Sequence, residues 1–130
     1  MLSVDNRLRF VGLWLPVIAY IAFIFWLSSA PRTAPSFLKW PGGDKAFHTV
    51  EYAGLGVLLL RALNGSWPSK YEWGQLILAG WFIAMIIGGL DEYYQQFTPT
   101  RSSSVLDWSA DAIGALMGQI LYWLKVSNNP

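Results

Sequence analysis

An all-α membrane protein, four transmembrane helices in an up-down bundle with short loops, is the fold this sequence predicts, on three observations. Apolar residues make up 54% of the 130-residue chain, which has eight tryptophans and a mean hydropathy of +0.35, away from the ordinary soluble range. Four long apolar runs are separated by segments containing proline, glycine and serine. The charged residues gather at the ends of these runs instead of being scattered through them.

Span one, about residues 10–27, is uncharged from Phe10 to Leu27; at about 1.5 Å per residue it nearly crosses the roughly 30 Å hydrocarbon core of a bilayer. The rival is a cleaved signal peptide, since Arg7 and Arg9 precede the run and Ser28, Ser29 and Ala30 follow it. The length of the run, with Trp14, Pro16 and Trp26 inside it, favours a retained span. Residues 28–44 hold prolines and two glycines, which break helices. They predict a loop that dips Phe37, Leu38 and Trp40 into the membrane interface.

Span two, about 45–63, is apolar only in its second half, because Lys45, His48 and Glu51 occupy its first turns; "NGSWPSK" ends it with turn residues. Span three, about 73–95, begins clean and finishes at Asp91 and Glu92. Span four, about 105–124, opens on Asp107 and Asp111 and finishes clean. Short loops make successive spans alternate in direction. The start of two, the end of three and the start of four therefore share one side, and the charges converge there. With the N-terminus inside, Arg7, Arg9, Arg61, Lys70 and Lys125 lie inside against Arg32, Lys39, Lys45 and Arg101 outside. That bias, with Arg7 and Arg9 flanking the first span, predicts a cytoplasmic N-terminus and an outward polar face. Trp26, Trp40, Trp73, Trp108 and Trp123 fall near span ends, as interface anchors do.

A net charge of +1 without a basic block excludes an electrostatic nucleic-acid footprint. The absence of cysteine excludes disulfides, a thiol nucleophile and cysteine metal sites. The chain reads as one domain, 1–130, without an internal repeat.

Helical spacing decides which polar groups can meet. His48 shares a face with Glu51 and Tyr52, Asp91 and Glu92 with Gln95, and Asp107 with Asp111. The stripes continue into small residues: Tyr52 to Gly56, Gly80 to Ala84 and Gly88, Asp111 to Gly114 and Gly118. Small residues at such spacing let helix backbones approach closely in lipid, within the bundle or between two copies. The acids thus face other helices. Buried pairs that merely hold helices together are the plain account, and near a helix end a single acid needs little more. Four acids converging with a histidine, a lysine and an arginine point instead to a functional site.

Within that site His48 suits a general base, a ligand in a carboxylate-rich metal site or a hydrogen-bonding partner of Glu92, with Asp91, Glu92 and Asp107 as the other candidate catalytic groups. Lys45, Tyr52, Gln95, Arg101 and Asp111 are the candidate ligand-binding residues, the planar fork of Arg101 being suited to phosphate. Lys45 could equally form an ion pair with Glu51. No cofactor is called for and no metal is assigned, a divalent ion on oxygen ligands being the less favoured alternative. Ser104 is a candidate N-cap for span four.

These residues also carry a family resemblance. "DKAFHTVEYAGLG" at 44–56 and "DEYYQQFTPTRSSSVLDWSADAIGALMG" at 91–118 resemble the VanZ-like family of small bacterial membrane proteins. Its pattern is a lysine and histidine opening one helix, then D-E-x-x-Q, a loop arginine and an aspartate before a small-residue helix. The matching positions are Asp44, Lys45, His48, Tyr52, Asp91, Glu92, Gln95, Arg101 and Asp107. Thr100 and Asp111 stand where the family commonly has glycine and asparagine, so a more acidic site and a different loop geometry are expected. The resemblance implies a multispanning protein of the bacterial cytoplasmic membrane, in a family named for a member linked to teicoplanin resistance. The expected partner is a membrane lipid or lipid-linked cell-wall precursor bearing phosphate, with a homo-oligomer allowed. Two alternatives are a membrane-embedded hydrolase or transferase using His48 and Glu92 as acid and base, and a small oligomeric transporter or channel.

Overall fold

The computed structural model describes residues 4–30 and 40–128. Four helices follow one another: α1 Val4–Ser29, α2 Gly43–Ser66, α3 Trp73–Gln95 and α4 Val105–Ser127. Each contains the span expected from the sequence, and α3 coincides with it. The expected interfacial dip of Phe37 and Leu38, and the cations Arg32 and Lys39, lie outside the described residues.

The helix starts have local causes. Ser104 is the N-cap of α4, its Oγ accepting from the Asp107 amide at 3.3 Å; a side-chain oxygen there satisfies one of the amides that a helix start leaves without a partner. At the start of α3, Gln75 Oε1 accepts from the Glu72 amide at 3.0 Å. α2 is entered through Gly42 at φ 93°, a left-handed conformation that glycine adopts without strain.

α1, α2 and α3 are long and apolar enough to cross a membrane. α4 matches them in length, but Asp107, Asp111 and Gln119 lower its hydropathy. All three are buried against neighbouring helices, so the outer face of α4 stays apolar with Leu106, Ile113, Met117 and Leu121 exposed.

Neighbours in sequence are antiparallel. α1 meets α2 through Trp14 Nε1, which donates to Ser66 Oγ at 2.8 Å, and through the Tyr20 hydroxyl, which donates to the Glu51 carbonyl at 2.9 Å. α3 and α4 are fixed in register by two indoles: Trp81 donates to the Ala112 carbonyl at 2.8 Å and Trp108 to the Met85 carbonyl at 2.9 Å. Trp108, expected as an interface anchor, therefore ties α4 to α3.

α2 and α4 run parallel and almost backbone to backbone. A Cβ on Gly114 would run into the Thr49 carbonyl, and one on Gly118 into the Ala53 carbonyl. Hydrocarbon gives little drive for apolar side chains to leave it, so helix association in lipid rests on close packing of this kind. The Gly114–Gly118 face is thus occupied by α2 within the bundle. Around it Tyr52, Leu55, Leu59 and Ala115 form the core with Val17, Ile24 and Ala84. α1 is peripheral, burying Val17, Ile24 and Ser28 while Leu8, Val11, Leu15 and Ile18 are exposed.

Candidate functional site

The alternation of direction brings the end of α1, the start of α2, the end of α3 and the start of α4 to one end of the bundle. Every candidate residue named from the sequence is found there. Tyr52, His48, Asp91, Glu92, Gln95, Asp107 and Asp111 are buried.

The deepest layer centres on His48. Its Nδ1 lies 2.8 Å from Asp111 Oδ1 and 4.0 Å from Glu92 Oε1. The sequence suggested Glu92 as its partner; the direct contact is with Asp111, because the close packing of α2 on α4 brings those two side chains together. Glu92 is held from its other side, Oε2 accepting from the Ser104 amide at 2.8 Å. Asp91 Oδ2 accepts from Gln95 Nε2 at 2.9 Å, the i,i+4 pair expected on α3, and the same nitrogen reaches Ser28 Oγ at 3.3 Å. Ser28 and Ser104 thus support the acids, and only Ser104 carried a signal, as an N-cap.

The outer layer holds the cations. Lys45 Nζ lies 3.1 Å from Asp107 Oδ1, with its side chain 44% exposed. The ion pair it makes is across to α4 instead of along α2 to Glu51, since a helix places residues six apart on different faces. Arg101 turns back onto α1, Nη2 donating to the Leu27 carbonyl at 2.7 Å and Nε to Ala30 at 3.3 Å. Leu27 lies in the last turn of α1, where carbonyls lose their i+4 amide partners, and Ala30 just past it; the cation also complements the negative end of the α1 dipole. Thr100, just before it, has φ 69°. The left-handed conformation that glycine would hold freely is held here by a β-branched residue, at a cost of roughly 1–2 kcal/mol.

Tyr52 Oη, Asp91 Oδ1, Glu92 Oε1 and Asp111 Oδ2 are buried with no hydrogen-bond partner among the described residues. Among the described residues two groups have the mutual geometry to hold a cation, Asp44, His48 and Asp107, and His48, Glu92 and Asp111, with donor atoms within 4.8 Å of one another. A polar cavity of about 150 Å³ lies over the outer layer, lined by Asp44, Gln95, Thr100, Arg101, Ser102 and Asp107. A second, of about 220 Å³, opens between α3 and α4 and includes Glu92, Ser104 and Trp108 in its lining.

Gln119 carries no sequence signal of its role. It is fully buried on α4, where its amide can donate to the Ile77 carbonyl at 3.0 Å and accept from the Trp81 amide at 2.9 Å. Those bonds join it to the α3 backbone, away from the polar end.

The family model described as VanZ/LLP1 matches residues 13–126. No curated protein and no solved structure matches the chain.

Proposed function

The chain belongs to the VanZ/LLP1 family, and from that premise we propose that it is a bacterial cell-envelope membrane protein whose polar end holds a phosphate-bearing lipid head group or lipid-linked cell-wall precursor. The observation that carries the reading is the polar cavity lined by Arg101, Gln95 and Asp107 over a buried, carboxylate-rich core. It is a concave site with few, converging polar groups at the end of an apolar bundle. Arg101 is the cation in its lining, Lys45 pairs with the lining residue Asp107, and the exposed apolar surface of the helices would run alongside acyl chains. In this reading the protein sits in the cytoplasmic membrane with its N-terminus inside and the cavity outward, and glycopeptide (teicoplanin) resistance is the envelope phenotype to test.

Native mass spectra in mild detergent test it. A phospholipid or lipid-pyrophosphate adduct is expected on the wild type and its loss in Arg101→Ala, with circular dichroism checking that the variant is folded. Bare polypeptide in the wild-type spectrum would remove the reading.

One observation favours a second reading, a membrane-embedded hydrolase or transferase. His48 with Asp111 at 2.8 Å and Glu92 at 4.0 Å is an imidazole between two carboxylates, an arrangement that can relay a proton. Here Glu92→Gln should abolish turnover of a lipid phosphoester while adduct formation persists.

A further inference from the structure

We infer that His48, Glu92 and Asp111 bind a first-row divalent cation of the zinc type. The inference deepens the proposed function by naming what would meet an anionic head group, and rests on that reading only for the head group, not for the ion.

Charge is the first argument. Asp91, Glu92 and Asp111 are buried around His48, whose imidazole can supply one positive charge at most. Lys45 is paired with Asp107 and Arg101 is engaged on the carbonyls of α1. An acidic core of this composition repels phosphate. A dication held by two carboxylates and a neutral imidazole balances the charge of its own ligands, leaving Asp91, which Gln95 holds, and its open coordination position would attract a phosphate oxygen.

The second argument is geometric. Two ligand atoms on a tetrahedral ion with bonds of ~2.0–2.1 Å stand about 3.4 Å apart. Nδ1 to Asp111 Oδ1 at 2.8 Å and to Glu92 Oε1 at 4.0 Å fall on either side of that value. Three donors from three helices meet within 4.8 Å, so small side-chain rotations suffice.

The third is the supporting shell. The Ser104 amide holds Glu92 Oε2 and so turns Oε1, buried and without a hydrogen-bond partner among the described residues, towards His48. Ligating carboxylates are oriented in this way by bonds to their other oxygen. The Tyr52 hydroxyl, one turn after His48 on α2, is fully buried and likewise without a partner among the described residues. It is available as a further oxygen ligand or as a partner to an ion-bound water.

His48 also belongs to the group with Asp44 and Asp107, but there Lys45 already compensates Asp107. The inner triad is therefore assigned. An imidazole ligand favours zinc over magnesium or calcium, which prefer all-oxygen sites.

The test is a titration of the full chain, stripped with chelator in lipid-free detergent, with Zn2+ by calorimetry and with Co2+ by visible absorption. One equivalent of zinc per chain is expected, undisturbed by millimolar Mg2+, with cobalt d–d bands typical of nitrogen and oxygen ligation. Glu92→Gln and Asp111→Asn should each weaken zinc at least tenfold while keeping helical circular dichroism. Wild-type protein that takes up no zinc and gives no cobalt bands overturns the inference, whatever the variants do. So do Glu92→Gln and Asp111→Asn variants that bind like wild type, or a loss in Asp107→Asn equal to that in Asp111→Asn, which would move the ion to the outer group. Because no lipid is present, zinc binding without a lipid adduct would sink the head-group reading alone, and an adduct without zinc would sink the ion alone.

Discussion

His48 and Asp111 face each other across two parallel helices, Nδ1 to Oδ1 at 2.8 Å, with both side chains almost completely buried. The contact exists because glycines lower on the same α4 stripe let α2 come down onto the α4 backbone. A buried imidazole and carboxylate satisfy one another, and removing one leaves the other stranded at a cost of several kcal/mol. Asp111→Ala should therefore lower the unfolding free energy in detergent by about 3 kcal/mol, whereas Asp111→Asn, which keeps volume and a bonding partner for His48, should stay within about 1 kcal/mol of wild type. Denaturation monitored by circular dichroism decides; a loss under about 1 kcal/mol in Asp111→Ala would mean that the pair has no role in holding α2 to α4.

The α2–α4 contact itself can be probed at Gly118. A methyl group there meets the Ala53 carbonyl, backbone that cannot move without its helix, so Gly118→Ala should destabilise by about 1–3 kcal/mol. Gly12 on α1 has nothing within 4 Å of a built Cβ. Gly12→Ala should be neutral or stabilising by up to ~1 kcal/mol through helix propensity. Thermal midpoints in one detergent compare the two, and a shift of the same sign in both would refute the close approach.

Thr100 holds a left-handed backbone at φ 69°. Glycine occupies that region without steric penalty, so Thr100→Gly should raise stability by about 1 kcal/mol, its greater unfolded-state freedom offsetting part of the relief. A fall in the thermal midpoint would show that the threonine side chain contributes more than its backbone costs.

Arg101 joins the α3–α4 loop to the end of α1 through the Leu27 and Ala30 carbonyls. Charge-assisted bonds of this kind contribute about 1.5–3 kcal/mol when protected and less where water reaches them. Arg101→Ala should speed hydrogen exchange in the last turn of α1 about tenfold, and Arg101→Lys by less, since lysine keeps the charge but loses the fork. Unchanged exchange in both would show that α1 is held without it.

The Lys45–Asp107 pair is partly exposed at the lysine, and such pairs contribute little, roughly 0–1 kcal/mol. Lys45→Met should leave the denaturation midpoint nearly unchanged. If it also leaves lipid adducts intact in native mass spectra, Lys45 has no part in holding the ligand.

The sequence by itself determined the four helices, their lengths to within a few residues and the convergence of the charged residues at one end. Those follow from the length of the apolar runs, from turn residues between them and from the alternation that short loops impose. It also marked Ser104 as a cap, the i,i+4 pair of Asp91 with Gln95, and the resemblance that the family match bears out. Only the tertiary structure decided which groups across the bundle meet. His48 contacts Asp111 more closely than Glu92, Lys45 reaches Asp107, and Arg101 closes the end of α1. Spacing along one helix fixes a face but not its depth or rotation relative to another. Those were set by the approach of α2 to Gly114 and Gly118, by the indoles of Trp81 and Trp108 on opposite backbones, and by the turn that Thr100 holds open.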